Sequence, residues 1–546
     1  MNNKFNLLLL LTGILLLGFF FRTHNLTEKG IFYYDEAYFL LETKAFTEGI
    51  KEIKAGIKTG IDLAAIKNSL MEKGCIFPPG TARPSFNAIV TVSAFIFDLK
   101  DYSVFIPSAF FSTLSIFLCF LIAKKQWDTR TALTAAFLAA ISAISVMYAR
   151  AGFAQTTAGF FLLLGLYFYL DTLKAGAGAR KTLLAGLTLG FAVTCHYGVL
   201  LSVFTLLATE TLLILFNVHA RKAKTVLIFL AALAAPVLAY ELLSQAIKLI
   251  LAGNLGSMNY RTYFEQFLYV SSNAPQKTQL SDFLTNDYFF YPRAILGFEG
   301  MLWLILLAAA GAHSLLRVVK GRSPAEAALF FQSYAILAFW IINPGQVKAP
   351  RILIIFYPIL LVLAARMLTD FLSAWRTGEK NKNLFLSGFL ALLFAVNAGG
   401  LMSIVNTRSF YRDAALSLRE KGITEVAALF YWPIWQFYTG HKVWANLDRV
   451  KNTKELRSYS KERGIEYLVI DSREYLINLA GRKGYVFLNE ILADNQPEFT
   501  MDTDTRKDIL FLYDETFPET LMREISADPF MHKLKCFRID KLKFRN

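Results

Sequence analysis

The feature that most constrains this chain is a series of long apolar blocks separated by short basic segments. A bilayer span needs about 20 mostly apolar residues, and the first such block runs from Phe5 to Phe21. Hydrophobic residues make up 55% of the 546-residue chain and charged residues only 18%, against about a quarter in a typical soluble domain. The sequence therefore excludes a disordered chain and predicts an α-helical polytopic membrane protein.

The apolar blocks predict about eleven transmembrane helices. They are Phe5–Phe21, 102–123, 131–148, 156–173, 182–195, 198–217, 225–251, 296–316, 326–342, 351–368 and 384–404. With this set, every basic loop between spans falls on one side of the membrane, which the positive-inside rule identifies as the cytoplasm. These loops explain the net charge of +15. No nucleic-acid partner is predicted, because the basic residues form no stripe on a folded domain.

Two domains are predicted. Residues 1–404 form the transmembrane domain, in which residues 23–101 are a first extracytoplasmic loop with juxtamembrane helices. Residues 405–546 have the composition of a soluble domain, and their alternating patterns predict a small α/β layer outside the cytoplasm. The predicted helices are Phe410–Lys421, 433–439 and 452–463, and the predicted strands are Val426–Tyr431, Lys442–Leu447, Ile465–Ile470, Tyr485–Leu488 and Ile509–Tyr513.

An acidic pair, Asp35 and Glu36, follows the first span in the sequence IFYYDEAYF. Carboxylates among aromatic residues at a membrane surface are costly to bury. One interpretation is a solvated pair or a helix N-terminus, where the helix dipole favours acidic side chains. The other is a general base beside a second acid.

Five cationic or titratable residues are predicted on the same extracytoplasmic face. They are Arg83, Arg150, His196, Lys348 and Arg351. Each alone also fits an anchor that reaches toward the lipid headgroups, and His196 also fits a packing histidine. Taken together, cations opposite a carboxylate pair suit a phosphate leaving group and a proton acceptor.

Several short motifs, in this order, resemble the GT-C glycosyltransferases that use lipid-linked sugars. These include protein O-mannosyltransferases, aminoarabinose transferases of lipid A, and bacterial galacturonosyl and related lipopolysaccharide-core transferases. The motifs are Arg22 at the end of the first span, Tyr34-Asp35-Glu36-Ala37-Tyr38, Arg83-Pro84, Tyr148-Ala149-Arg150, His196-Tyr197-Gly198, Pro350-Arg351 and Tyr357-Pro358. The resemblance covers about residues 1–400, and the run Trp435-Gln436-Phe437-Tyr438 extends it to the C-terminal domain.

This resemblance implies transfer of a sugar, with inversion, from a polyprenyl-phosphate donor to a hydroxyl of a glycolipid, lipopolysaccharide or protein. Asp35 would be the general base and Glu36 its catalytic neighbour. The implied substrate-binding residues are Tyr38, Arg83, Arg150, His196, Lys348 and Arg351, with Arg83 at the lipid phosphate. No cofactor is implied with certainty. Many members carry a second acid where this chain has Gln155, and an amide is a poorer ligand for a divalent metal than a carboxylate.

Two other functions are open on the sequence. One is a transporter or flippase of lipid-linked saccharide, and the other is a non-catalytic member of the same scaffold. The predicted charges collect at one face rather than inside the spans, which favours transfer over transport. The short N-terminus before the first span leads us to expect a bacterial inner membrane, with the N-terminus in the cytoplasm and residues 405–546 outside.

Overall fold

Helices make up most of the chain in a computed structural model, which describes residues 3–60, 65, 68, 83–173, 178–215, 223–251, 261–272, 286–321, 323–343, 348–423, 425–428, 431–440, 450, 452–471, 486–502 and 533–543. The α-helices of the membrane region are α1 (Asn3–Thr23), α2 (Tyr34–Thr59), α3 (Pro84–Phe97), α4 (Phe105–Gln126), α5 (Thr129–Ile141), α6 (Ala143–Ala149), α7 (Ala154–Thr172), α8 (Ala179–Cys195), α9 (Val199–Leu215), α10 (Ala223–Leu251), α11 (Tyr263–Ser272), α12 (Phe290–Glu299), α13 (Met301–Val319), α14 (Pro324–Phe330), α15 (Ile336–Ile342), α16 (Tyr357–Ala374) and α17 (Glu379–Asn406). Those that follow are α18 (Tyr411–Glu420), α19 (Trp432–Thr439), α20 (Thr453–Arg463) and α21 (Val486–Asp494).

Seven helical segments in the described part of the chain are long and apolar enough to cross a membrane, or eight if α5 and α6 form one bent span. The seven are Lys4–Glu28, Asp101–Gln126, Lys224–Leu249, Met301–Val319, Pro324–Ile342, Tyr357–Ala374 and Glu379–Glu420. A multi-pass membrane protein is thus confirmed, while the number eleven stays a prediction. The predicted spans 182–195 and 198–217 coincide with α8 and α9, which have 17 residues each.

The chain divides into two compact units. The membrane unit consists of Met1–Leu26, Glu42–Leu99 and Ser103–Val405, and the C-terminal unit consists of Thr27–Leu41, Lys100–Tyr102 and Asn406–Asn546. The segment that carries Asp35 and Glu36 therefore belongs to the same unit as the C-terminal residues, although the sequence analysis assigned it to the first loop of the transmembrane domain.

In the membrane unit, α8 packs closely against its neighbours α7 and α10. Two glycines one helical turn apart, Gly186 and Gly190, permit the approach to α10. A Cβ atom at Gly190 would lie 2.2 Å from the carbonyl oxygen of Leu233, and one at Gly186 would lie 2.6 Å from that of Phe229. Small residues at this spacing let two membrane helices pack backbone against backbone.

The chain bends by 58° between α5 and α6, at Ser142. The buried carboxylate of Glu299, at the end of α12, occupies the start of α6. It accepts hydrogen bonds from the Ser142 hydroxyl (2.6 Å), the Ala143 and Ile144 backbone N–H groups (2.9 and 3.1 Å), the Tyr357 hydroxyl (3.2 Å) and the Asn397 amide (2.9 Å). A negative charge is favourable at a helix N-terminus, where backbone N–H groups lack helical partners.

Arg22 holds the other side of the same bend. Its guanidinium, 1% exposed, donates to the carbonyl oxygens of Ala139 (2.8 Å) and Ala140 (3.1 Å) in the last turn of α5, and to the Ser112 hydroxyl (2.8 Å). A cation suits the C-terminal end of a helix for the same reason that a carboxylate suits the start. The bend is thus stabilised by Arg22 and Glu299, each matched to the helix end that it contacts.

The C-terminal unit contains a mixed four-stranded sheet of β1 (Val426–Ala427), β2 (Tyr467–Ile470), β3 (Phe499–Asp502) and β4 (Lys533–Arg538), in the order β1-β2-β4-β3. β1 and β2 are parallel, and β4 is antiparallel to both β2 and β3. Leu456, Leu468, Leu488 and Phe537 belong to the core that joins the helices to this sheet. The predicted α/β character of this region is confirmed.

Individual elements of the C-terminal unit were predicted less well. The helices Phe410–Lys421, 433–439 and 452–463 appear within a residue or so as α18, α19 and α20, but the strand predicted at Tyr485–Leu488 is wrong, because Val486–Asp494 is a helix. Its apolar residues Leu488 and Ile491, three positions apart, are both buried, which is a helical spacing. The strands predicted at Lys442–Leu447 and Ile509–Tyr513 lie outside the described residues.

Candidate functional site

The acidic pair lies in the first turn of α2, which is the helix N-terminus that one interpretation of the sequence predicted. The two carboxylates have different environments. Glu36 is fully buried, and its carboxylate accepts from the backbone N–H groups of Phe32 (2.8 Å) and Tyr33 (3.1 Å) and from Lys29 Nζ (3.2 Å). Asp35 is half-buried. This arrangement favours a structural role for Glu36 and leaves Asp35 as the better candidate for proton transfer.

Lys29 is the counter-ion of Glu36. Its side chain is 1% exposed, and its ammonium group also lies 4.9 Å from the centre of the Phe32 ring. A buried charge is stable only when paired and hydrogen-bonded. The ion pair therefore fixes the turn immediately before Asp35.

Aromatic rings surround the start of α2. Tyr34 stacks on Tyr38, with ring centres 5.8 Å apart, and meets Trp432 edge-on at 6.3 Å. Tyr38 is 38% exposed, and it lies three residues after Asp35, which places the two side chains as neighbours on the helix surface. An exposed aromatic ring beside a carboxylate is chemically suited to contact an apolar face and a hydroxyl of one ligand.

Two residues from the C-terminal part of the same unit, Ser409 and Tyr438, contact the turn before Asp35. Ser409 donates from its N–H to the Lys29 carbonyl (2.7 Å) and from its hydroxyl to the Ile31 carbonyl (2.5 Å). The Tyr438 hydroxyl accepts from the Ile31 N–H (2.9 Å) and donates to the Asp101 carboxylate (2.9 Å). Burial, together with the charge of Asp101, raises the pKa of Tyr438 well above its ordinary value.

In the membrane unit, Arg83 and His196 lie near each other. The Ser85 and Thr194 hydroxyls are 2.7 Å apart and join the start of α3 to the end of α8. Burial raises the pKa of Tyr197, and the positive charge of Arg83 opposes that rise, so the guanidinium lies within electrostatic reach of the phenol. His196 Nδ1 accepts from the Gly198 N–H (2.9 Å), and its neutral ring therefore carries the proton on Nε2.

Arg83 precedes Pro84, the first residue of α3, and its side chain does not cap that helix. Both a guanidinium and the positive end of a helix favour an anion. Arg83 is half-buried. These properties are consistent with the phosphate contact that the resemblance implies for this residue.

Arg150 and Lys348 are both buried and donate to backbone carbonyl groups. Arg150 is 1% exposed and donates to the carbonyl oxygens of His24 (2.7 Å) and Val405 (2.8 Å). Lys348 is 7% exposed and donates to those of Asp287 (2.7 Å) and Ile341 (2.9 Å), while burial lowers its pKa. Contacts to backbone carbonyl groups favour structural roles for both cations.

Arg351 is half-buried at the start of a short 3₁₀ helix, Pro350–Ile355. Its guanidinium lies 5.1 Å from the centre of the Phe153 ring, a cation–π distance. Of the three predicted arginines, Arg83 and Arg351 are half-buried, whereas Arg150 is 1% exposed.

The residues that the structure describes do not supply a cluster of ligands for a divalent metal. Gln155 is 2% exposed, and in the described part of the chain no group of three or more His, Cys, Asp or Glu side chains is arranged to hold a metal ion. An amide oxygen alone is a weak ligand for such a cation.

The predicted residues are divided between the two units. Asp35, Glu36 and Tyr38 lie in the C-terminal unit, and the predicted cations and His196 lie in the membrane unit. Sequence reasoning missed Lys29, Ser409 and Glu299. The role of Glu36 as a helix cap could have been predicted, because a glutamate in the first turn often accepts from the N–H group three residues earlier. Its ion pair with Lys29 could be predicted only once that cap was recognised.

The model of the dolichyl-phosphate-mannose-protein mannosyltransferase family matches residues 79–242, less than a third of the chain. Among solved structures, the oligosaccharyltransferase of Archaeoglobus fulgidus in the apo form superposes with a TM-score of 0.59 at 15% identity, over 88% of this chain and 71% of that one. The same organism's AglB, in complex with an inhibitory peptide and a dolichol-phosphate, gives a TM-score of 0.58 at 14% identity, over 89% and 72%.

ArnT from Cupriavidus metallidurans in the apo state gives a TM-score of 0.55 at 12% identity, over 88% of this chain and 95% of that one. The chain has the GT-C fold. The fold that the resemblance implied is therefore confirmed, and the apolar helices identify an integral, multi-pass membrane protein. No curated protein sequence matches this chain.

Proposed function

We propose that this GT-C protein is a membrane glycosyltransferase that moves a sugar from a polyprenyl-phosphate donor to an acceptor hydroxyl, with Asp35 as the general base. The donor class is supported by the family match to dolichyl-phosphate-mannose-dependent enzymes and by the dolichol-phosphate bound to the similar AglB structure. A donor whose tail dissolves in the bilayer suits a polytopic protein, since both then share the membrane.

The observation that carries the proposal is the contrast between two adjacent carboxylates. Glu36 is buried and is neutralised by Lys29, whereas Asp35 is half-buried beside the exposed ring of Tyr38. A general base must reach the acceptor hydroxyl, and a carboxylate enclosed by its own protein cannot do so. Asp35 also lies in the first turn of a helix, where negative charge is stabilised.

In the proposed reaction, the acceptor oxygen attacks the anomeric carbon from the face opposite the phosphate. Asp35 takes the hydroxyl proton as the new carbon–oxygen bond forms, and the bond between the anomeric carbon and the phosphate oxygen breaks. The lipid phosphate leaves with the bonding electron pair, and the configuration at the anomeric carbon is inverted. Arg83 and Arg351 are proposed to stabilise the phosphate, because cationic donors suit a developing phosphate charge.

We place this reaction on the extracytoplasmic face of a bacterial inner membrane, with the N-terminus in the cytoplasm. The one-sided distribution of basic loops supports that orientation. No step in this scheme requires a metal ion.

The test is an assay of the purified full-length protein in lipid nanodiscs with a panel of radiolabelled polyprenyl-phosphate sugars and a cell-envelope glycolipid fraction. We expect release of polyprenyl phosphate that depends on the acceptor, together with an inverted glycosidic linkage in the product. The Asp35→Asn variant should lose this activity, and Asp413→Asn, which changes an exposed aspartate on α18, should keep it. Movement of intact lipid-linked saccharide across a vesicle, without release of sugar, would contradict the proposal and support a transporter.

A further inference from the structure

We propose that Tyr438 is a positioning residue for Asp35, so that the C-terminal segment Asn406–Asn546 contributes to the active site. This inference rests on the function proposed above. It concerns residues of one compact unit only, because Thr27–Leu41 and Asn406–Asn546 belong together.

Several backbone polar groups between Lys29 and Tyr33 are hydrogen-bonded to side chains or to the backbone of Ser409. The Lys29 and Ile31 carbonyl oxygens accept from Ser409, and the Ile31 N–H donates to the Tyr438 hydroxyl. The next two N–H groups, of Phe32 and Tyr33, donate to the Glu36 carboxylate. Asp35 follows this turn directly, so its position depends on contacts made from both sides of the turn.

Gly30 allows the close approach of the turn to Ser409 and Tyr438. Its φ angle is +72°, and a Cβ atom there would lie 3.1 Å from Ser409 Cβ and 3.4 Å from the Tyr438 hydroxyl oxygen. A left-handed φ is readily adopted by glycine. The turn therefore rests on these two side chains with no room for a bulkier residue.

The Tyr438 hydroxyl uses both of its hydrogen-bonding functions in this contact. It accepts from Ile31 N–H and donates to Asp101, which is 6% exposed and also accepts from the Tyr102 N–H at 2.9 Å. A Phe side chain keeps the ring but removes both bonds at once. The Ile31 amide then loses the contact that fixes it four residues before Asp35.

A small displacement of Asp35 should affect the chemical step more than binding of the donor. Misplacement of a catalytic group by about 1 Å can reduce the rate about 100-fold. Loss of an interaction that is made only in the transition state lowers kcat, whereas loss of one that is made equally in the ground state raises KM. Tyr438→Phe should therefore lower kcat about 10–100-fold and leave the donor KM within about twofold.

The matched control is Tyr411→Phe. Tyr411 is also a tyrosine of the C-terminal unit whose hydroxyl donates to an aspartate, Asp471, at 2.7 Å. It is fully buried, so its loss should disturb packing at least as much as loss of the Tyr438 hydroxyl. Since its hydroxyl donates to Asp471, 60 positions further along the chain, we expect kcat within about threefold of the wild type.

A second readout does not depend on activity. Hydrogen–deuterium exchange of a peptide covering residues 27–34 should be faster in Tyr438→Phe than in the wild type, and unchanged in Tyr411→Phe. If Tyr438→Phe does not fold, Ser409→Ala removes the neighbouring bond to the Ile31 carbonyl and should give the same two effects.

The inference is overturned if Tyr438→Phe keeps kcat within twofold of the wild type, or if both tyrosine variants lose activity equally without a change in exchange at residues 27–34. Failure of the proposed function looks different, because in that case Asp35→Asn keeps its activity or the wild type transfers no sugar. An inactive Asp35→Asn beside a fully active Tyr438→Phe would remove this inference alone.

Discussion

Glu299 in the membrane unit and Glu36 in the C-terminal unit are both buried carboxylates at the start of a helix, but they differ in what they hold. Glu299 accepts hydrogen bonds from residues at the start of α6 that lie 155 to 157 positions earlier in the chain, and also from Tyr357 and Asn397. Glu36 caps its own helix through N–H groups three and four residues earlier. The first joins several helices, whereas the second shapes one turn.

We therefore expect Glu299 to contribute mainly to the stability of the membrane unit, and Glu36 to contribute to the position of the proposed catalytic residue. A carboxylate that accepts hydrogen bonds from five donors in three separate segments holds helices of the membrane unit together. A carboxylate that caps a single turn controls the position of its neighbour, which here is Asp35. Four variants test this contrast.

The largest effect on stability is expected for Glu299→Ala. Five buried donors lose their common acceptor, and an unsatisfied buried donor costs about 1–3 kcal/mol, so we expect a loss of about 3–4 kcal/mol after partial relaxation. Thermal unfolding in detergent, followed by intrinsic fluorescence, measures it. The control is Glu379→Ala, which breaks an ion pair of a 65% exposed side chain and should change stability by less than about 1 kcal/mol. Equal stability of the two variants would break the comparison.

A third helix start sharpens the contrast, because α3 begins after a cation, Arg83, rather than at a carboxylate. If Arg83 contacts the lipid phosphate, Arg83→Ala should raise the donor KM about 10–150-fold, since a charge-assisted bond contributes about 1.5–3 kcal/mol. Arg83→Lys should lose less, because it keeps the charge but not the fork. Steady-state kinetics with a short-chain donor measures this. A lower yield of folded protein at unchanged donor KM would instead identify Arg83 as a membrane anchor.

Glu36→Gln is expected to have a smaller effect. The amide oxygen still accepts one hydrogen bond from the turn, but the ion pair with Lys29 is lost, so we expect about 1–2 kcal/mol of destabilisation. Glu48→Gln, on the exposed side of the same helix, is the control for thermal unfolding. A Glu36→Gln protein as stable as Glu48→Gln would show that the cap does not hold the turn.

A fourth prediction concerns the side of the membrane on which the C-terminal unit, with Glu36, lies. Burial raises the pKa of the Cys536 thiol to about 12, with a further contribution from Glu498, so the reactive thiolate is scarce up to about pH 9 and Cys536 should stay unlabelled. Cys75, which falls in the predicted extracytoplasmic loop, is replaced by Ser in the protein used for this test. Lys461→Cys introduces an exposed thiol on α20. A membrane-impermeant maleimide should label it in intact cells from the extracytoplasmic side. Labelling only after the cytoplasm is opened would reverse the proposed topology.

The sequence predicts features that depend on residues close together in the chain, and it does not predict those that depend on residues far apart. Apolar blocks and helical spacing are local, so the membrane class, the acidic pair at a helix start and the helices α18 to α20 were accessible. Glu299 was not, because its donors come from three distant segments, 142–144, Tyr357 and Asn397, and no local pattern near residue 299 indicates them. The contacts of Arg150 were inaccessible for a similar reason, since its partners His24 and Val405 lie far along the chain.

The central claim is that, of two neighbouring carboxylates, Asp35 performs chemistry and Glu36 supports it. The direct measurement is kcat per folded molecule for Asp35→Asn and Glu36→Gln in the same nanodisc transfer assay, with the folded fraction determined by thermal unfolding. We predict that Asp35→Asn keeps its unfolding temperature and loses at least about 100-fold in kcat, as expected for removal of a general base. Glu36→Gln should unfold at a lower temperature and keep kcat within about tenfold. An Asp35→Asn protein within tenfold of the wild type, or a larger loss of kcat in Glu36→Gln, would contradict the account.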